Sequence, residues 1–328
     1  MEINFVKRVV AAGGEIKPLL VPAEHTDGTG LCNPSVYIDG DRILVNLRHV
    51  QYNLYHSEGK QEFHSRWGPL VYMHPENDMK LRTINYLCEL DENLDILKGS
   101  RVNTSVLDVT PVWDFIGLED ARVVRWDDKL FLIGVRRDTK DNGEGRMEFS
   151  EVVEVIDGVE EVKRTRIEPP NDPNSYCEKN WMPVIDQPYH FVKWTSPTEI
   201  VKVDLETKSS KTVKIGNIQA QVPRDLRGGS QVIPWKDGYI AITHEVDLWF
   251  NEVGNKDSQY YHRFVVWDKD WNLIKVSREF KFMTARIEFT CGLAEYKGDI
   301  LITFGFQDNA AYILKTSKQV IEEFIDEK

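Results

Sequence analysis

The 328-residue sequence contains no P-loop, no G-x-G-x-x-G and no G-x-S-x-G, which sets aside the common ATPase, dinucleotide-oxidoreductase and α/β-hydrolase readings. Cysteine is sparse: Cys32, Cys88, Cys177 and Cys291 stand far apart without a C-x-x-C pair, so neither a zinc site nor a disulfide framework is indicated. Reduced thiols in a cytosolic protein are the expectation. The eight histidines show no H-x-x-x-H or H-E-x-x-H spacing, so no metal site is expected. Basic charge is in deficit, with 41 Lys and Arg against 53 Asp and Glu and a net charge of −12. Nucleic-acid binding needs a clustered cationic surface, and this balance argues against it. The N-terminal stretch lacks a signal-peptide apolar core and no later run approaches spanning length, so a cytoplasmic protein with no membrane partner is expected.

What the sequence does have is β-forming and aromatic material arranged in repeats. Five segments each join a polar turn to a burst of β-formers: 38–48, 126–136, 185–194, 235–244 and 296–305. A second series interleaves with them, at Leu90-Asp-Glu-Asn-Leu, Val155-Ile-Asp-Gly-Val, Val203-Asp-Leu-Glu-Thr and Trp267-Asp-Lys-Asp-Trp, and reads as exposed outer hairpins. Five units in 328 residues leave roughly 65 residues each, the size of a four-stranded propeller blade. The expected fold is therefore all-β: a five-bladed β-propeller forming one domain over 1–328, with a short C-terminal helix. The first series is expected to supply the innermost strands of five separate sheets. Thr316 or Ser317 can cap the helix, whose apolar residues Val320, Ile321, Phe324 and Ile325 recur at helical spacing.

In a propeller, polar residues bracketing the inner strands converge on the axis although they are distant in sequence. The candidates are Asn33 and Arg48 around the first strand; Glu119, Asp120 and Arg122 at the second; Lys179 at the third; His244 at the fourth; and Asp308 at the fifth. Gly117-Leu-Glu-Asp-Ala-Arg122 is the most unusual of these. Strand side chains alternate, so Asp120 and Arg122 are expected on the axial face, with Glu119 turned into the blade toward a positive partner. Lys179 and Arg227, with His244, make a reasonable anion clamp, lysine as a point charge and arginine as a fork.

These residues resemble the motifs of glycoside hydrolase family 130, five-bladed propellers that include β-mannoside phosphorylases. The likeness runs from Asn33-Pro-Ser through Arg48, Gly117-Leu-Glu-Asp-Ala-Arg122, Glu178-Lys179-Asn180 and Gly228-Gly-Ser to His244, and closes at Phe304-Gly-Phe-Gln-Asp308. Ala121 stands where the family signature has proline. Glu178-Lys-Asn-Trp-Met-Pro183, Arg227-Gly-Gly-Ser230 and Thr290-Cys-Gly292 also resemble a glycosyltransferase-associated branch of such propellers. The resemblance implies an inverting glycosyl-transferring enzyme with Asp120 as its single general acid. Asn33, Arg48, Arg122 and Asp308 would bind the sugar, and Lys179, Arg227 and His244 the phosphate, with a further phosphate arginine at Arg164 or Arg166. It implies a carbohydrate or glycosylated acceptor as partner. No cofactor is implied beyond inorganic phosphate, a sugar phosphate or a sugar nucleotide as co-substrate. Two alternatives stand beside it: a hydrolase pairing Asp120 with Asp308, Asp114 or Glu245, and a glycan-binding propeller without turnover.

Overall fold

A computed structural model describes residues 3–26, 29–55, 71–73, 80–250, 252, 254 and 256–327. Its strands form five antiparallel blades around an axis, each running outward in chain order. Blade 1 begins with Leu31–Asp39 and Arg42–Val50, blade 2 with Leu118–Trp126 and Lys129–Arg136, and blade 3 with Met182–Pro183 and His190–Thr195. Blade 4 begins with Ile233–Trp235 and Gly238–Phe250, and blade 5 with Glu288–Tyr296 and Asp299–Phe306. Glu15–Pro18 returns to pair with Ala310–Ser317 as the outermost strand of blade 5, so the two ends of the chain close one sheet. The second turn series lies between the third and fourth strands of blades 1 to 4, on the outside as expected.

Two expectations are corrected. The five apolar bursts form the second strand of each blade, not the innermost. A second strand is covered on both faces by neighbouring blades and reads as a continuous apolar run, whereas the axis is too narrow for such side chains. The innermost strands instead carry Asn33, Ser35, Asp120, Arg122, Cys291 and other small or polar residues. The sheets are also not all separate. Val102 and Asn103 pair in parallel with Val159 and Glu160, joining blades 1 and 2 along their outer strands.

Between adjacent blades lie apolar layers, such as Val124, Phe131 and Phe149 of blade 2 against Phe191 and Val201 of blade 3. The C-terminal helix, Lys318–Asp326, is capped by Ser317, whose hydroxyl accepts from Val320 N. A second helix, Phe5–Ala11, was not legible in the sequence: it is two turns long and capped by Asn4. Both helices lay their apolar faces on the junction of blades 4 and 5. No helix among the described residues is long and apolar enough to cross a membrane.

Below the mouth the axis is filled. The Gln231 amide donates to the carbonyls of Val36 (2.8 Å) and Val123 (3.2 Å), and its oxygen accepts from Leu293 N (3.0 Å). One side chain thus satisfies three inner strands.

Candidate functional site

Asp120 lies where the inner strand of blade 2 departs from regular pairing. The ladder to the second strand skips at Gly134, and Asp120 itself has φ 51°, rare for a residue other than glycine. This bulge defeats simple alternation. Glu119 and Asp120 both meet Arg48, whose Nη1 donates to Asp120 Oδ1 (2.7 Å) and Nη2 to Glu119 Oε2 (3.3 Å). The positive partner expected for Glu119 is therefore present, but it is shared. Arg48 is 6% exposed, and its Nε donates to Thr83 Oγ1 (3.1 Å). The Asn33 amide adds a second bond to Asp120 Oδ1 (2.8 Å).

Burial raises the Asp120 pKa, but Arg48, Arg122, the Asn33 bond and Lys179 outweigh it and hold the carboxyl below its ordinary value. Burial raises Glu119, against the pull of Arg48. Asp308, at the end of the second strand of blade 5, is pushed up to about 6 by burial, with Asp120 and Glu119 adding to the effect and Arg48 opposing it. Three carboxyls around one guanidinium are thereby driven apart in proton affinity.

Arg122, expected to bind sugar, is 1% exposed and fully engaged with the protein. It donates to the backbone carbonyl of Asp120 (2.6 Å), to Gly229 O through Nη2 (2.6 Å) and Nε (3.1 Å), and to Asn180 Oδ1 (3.4 Å). Its role is to tie blades 2, 3 and 4 together behind Asp120. Asn33 and Arg48 likewise hold Asp120 rather than standing open to a ligand.

The loop opening blade 3 is pinned on both sides of Lys179. Glu178 accepts from Trp181 Nε1 (3.0 Å), and Asn180, at φ 60°, accepts from Arg122. Lys179 is left exposed, with no hydrogen bond or ion pair to another described residue. Arg227 is also exposed, and its backbone pairs with that of His244. The intervening Gly228 and Gly229 provide close approach: a Cβ would stand 1.9 Å from Asn180 O and 2.4 Å from Ile242 O, respectively.

His244 is 3% exposed, stacked on Tyr260 and edge-on to Phe289. Its Nδ1 lies 2.9 Å from Gly228 O, an acceptor only, so Nδ1 carries the proton and Nε2 is a bare acceptor. Burial holds its pKa well below 6.5, and His262, Arg227 and Lys179 push the same way. His244 is thus neutral, not the cation expected of a phosphate clamp. It can meet a phosphate only through an oxygen that bears hydrogen.

Arg164 and Arg166 lie away from this cluster: Arg164 is tied to Asp108 and Glu161, and Arg166 to Glu144. Arg137 is the arginine whose charge reaches Glu119 and Cys177. Of the second carboxylates considered for a hydrolase, Glu245 is bound by Arg263 and Arg224, and Asp114 lies in the loop before blade 2. Asp308 is the one coupled to Asp120. Tyr260, which senses Asp308, Asp120 and Arg227, was missed in the sequence; its one signal is its place two residues before His262, across the hairpin from His244. No group of three or more His, Cys, Asp or Glu able to hold a metal occurs among the described residues.

No protein-family model matches the chain, and no curated protein matches it in sequence. Solved structures do match over nearly its whole length. One is β-1,2-mannobiose phosphorylase from Listeria innocua, with 12% identity, TM-score 0.57 and 99% of each chain covered. Another is MPT-4, a mannose phosphorylase from Leishmania mexicana, with 11% identity, TM-score 0.53 and coverage of 98% of this chain and 94% of that one. A third is MPT-1, a GDP-Man-dependent mannosyltransferase from the same organism, with 12% identity, TM-score 0.52 and coverage of 92% and 89%. At these identities the likeness is one of fold, and the chain has the five-bladed propeller fold of these mannose-handling enzymes.

Proposed function

We propose that this protein transfers a glycosyl unit between a carbohydrate and a phosphate-bearing group at the mouth of its channel. The observation that carries the reading is a half-buried carboxylate, Asp120, with an exposed Lys179 free of ion pairs, an exposed Arg227 whose one ion pair is to the exposed Asp225 (3.7 Å), and the bare Nε2 of His244. Asp120 exchanges the proton of the glycosidic oxygen. The two cations hold the phosphate, and His244 accepts from its protonated oxygen. Because Asp120 rests ionised, it is set to take a proton from an acceptor hydroxyl, so the resting site favours synthesis from a sugar phosphate or sugar nucleotide. In the opposite direction the carboxyl must first be protonated. The structural neighbours support mannose as the first sugar to try.

Incubation with mannose 1-phosphate or GDP-mannose and a mannoside acceptor should release phosphate or nucleotide, and adding phosphate to a mannobiose should return mannose 1-phosphate. Absence of turnover with every phosphorylated donor and with phosphate would overturn the reading. Hydrolysis is the second reading, favoured by Asp308 as a carboxyl without a partner. Mannoside cleavage that proceeds equally well without phosphate would select it.

A further inference from the structure

This inference rests on the proposed glycosyl transfer and concerns the class of donor that the site takes. On the rim between blades 2 and 3 the Arg137 guanidinium lies between two aromatic rings, 4.9 Å from the Phe115 centroid and 5.4 Å from that of Tyr176. The stack is locked in place. Arg137 Nε donates to Gly143 O (2.8 Å) and Nη2 to the Tyr176 hydroxyl (2.8 Å), which in turn donates to Asn142 O (3.1 Å). Gly145 N donates to Tyr176 O (3.0 Å) and Glu178 N to Gly145 O (3.0 Å), so the backbone that leads from the ring to Lys179 is held as well. Tyr176 is nevertheless 53% exposed, and among the described residues no second ring or cation covers it. The result is a ring of fixed orientation, backed by a cation on one face and open to solvent on the other.

We propose that Tyr176 is the platform for the base of a nucleoside diphosphate, so that the phosphate-bearing group taken at this mouth is a sugar nucleotide. Tyr176 stands three residues before Lys179, and even a fully extended chain would separate their Cα atoms by no more than about 11 Å. The base and the terminal phosphate of a nucleoside diphosphate lie apart by a length of this order. The charges of Arg137 and Lys179 both reach Glu119 and Cys177, on the same side of the mouth. Arg137 makes no ion pair with any described acid, so it adds a third cation to Lys179 and Arg227 and suits a ligand more highly charged than inorganic phosphate. A sugar packing its C–H face on the ring would depend on π density that the guanidinium draws away. An electron-rich base gains from the same electron-poor partner, and stacking needs no particular base. In transfer, the acceptor oxygen bonds to the anomeric carbon as the bond to the β-phosphate oxygen breaks. The acceptor proton passes to Asp120, and the nucleoside diphosphate leaves with the electron pair of the broken bond.

Calorimetric titration with GDP and with inorganic pyrophosphate tests the platform without turnover. Wild-type protein should bind GDP roughly 5–150-fold more tightly than pyrophosphate, the worth of one base stacked on an aromatic ring. Tyr176→Ala should bring GDP down to the pyrophosphate value while pyrophosphate itself and the melting temperature stay put. Tyr176→Phe keeps the ring and should retain most of the preference, and Lys179→Ala should weaken both ligands alike. Equal affinities in wild type, a preference that survives in Tyr176→Ala, or a loss of mannobiose binding in place of GDP binding in that variant overturns the proposal. A GDP preference that depends on Tyr176, with no transfer from any phosphorylated donor, would instead sink the proposed function alone. Transfer from mannose 1-phosphate without any preference for GDP would sink this inference alone.

Discussion

Two charged clusters in this ring are organised around arginines, and they are built to different ends. Between blades 1 and 2, Arg136 meets Glu148 and Asp138, Arg164 meets Asp108, and the two arginines share Glu161. Every acid there touches a cation, and none of these residues has a left-handed backbone. At the mouth, one arginine serves two acids and leaves a third, Asp308, without a partner, while Asn33, Asp120 and Asp308 take φ of 43°, 51° and 50°. The first arrangement settles its charges as a structural tie. The second keeps charge and backbone strain unsettled where a ligand arrives, which is where function tolerates them.

The sharpest way to break this comparison is Asp120→Asn. It keeps the shape of the side chain but cannot exchange the proton, so turnover per folded molecule should fall by roughly 10²–10⁴-fold while sugar affinity holds. Full activity on an unactivated substrate would remove Asp120 from the chemistry. Arg136→Met should do the reverse. It leaves buried acids unpaired and should cost about 3–5 kcal/mol in urea unfolding, with turnover per folded molecule unchanged. A loss of turnover without a loss of stability would show that this cluster is no mere tie. Smaller still, Lys179→Ala and Arg227→Ala each remove a charge-assisted contact and should raise KM for phosphate or donor by roughly 10–100-fold. Both side chains are exposed, so the melting temperature should stay put; unchanged KM in both variants would dissolve the clamp.

The blade count and the outer hairpins were legible because turn residues and apolar strands repeat by composition. The identity of the innermost strands was not, since an axial strand is marked by small and polar residues that resemble a loop. In the candidate site, the sequence singles out Asp120, Lys179, Arg227 and His244 as residue types suited to the chemistry, but not their states. Alternation put Glu119 and Asp120 on opposite faces, and the bulge opposite Gly134 brought both to Arg48. The sequence offers His244 as a clamp residue without its charge state, and its burial and the Gly228 carbonyl make it neutral. Arg122 read as a ligand residue because nothing local announces that the Gly229 carbonyl, 107 positions away, will occupy it. Such features depend on contacts between blades, which no local pattern encodes.

The smallest effect separates the two histidines that face each other across the long hairpin of blade 4. His244 and His262 are directly opposite in the ladder, and both are buried. His244 is anchored through Nδ1 to Gly228 O, whereas His262 sits between Phe280 and Phe282 with no well-formed hydrogen bond at either nitrogen. Burial pushes the His262 imidazole down to about 3, the nearby Phe280 carbonyl offsetting this in part and Lys281 adding to it. The folded protein therefore binds fewer protons at His262 than the unfolded chain does, from the ordinary histidine value downward. Stability from this group is complete above about pH 6.5 and is lost progressively as pH falls toward the folded value. His262→Phe removes both the unpaired nitrogens and the acid sensitivity, and it should stabilise the protein by about 1 kcal/mol near neutral pH and by more near pH 5. Thermal melts at the two pH values check the sign: a gain that shrinks on acidification would show that His262 is partnered after all. The same replacement at His244 deprives the Gly228 carbonyl of its partner, so near neutral pH it should lower the melting temperature rather than raise it, and on the proposed reading it also weakens phosphate or donor binding.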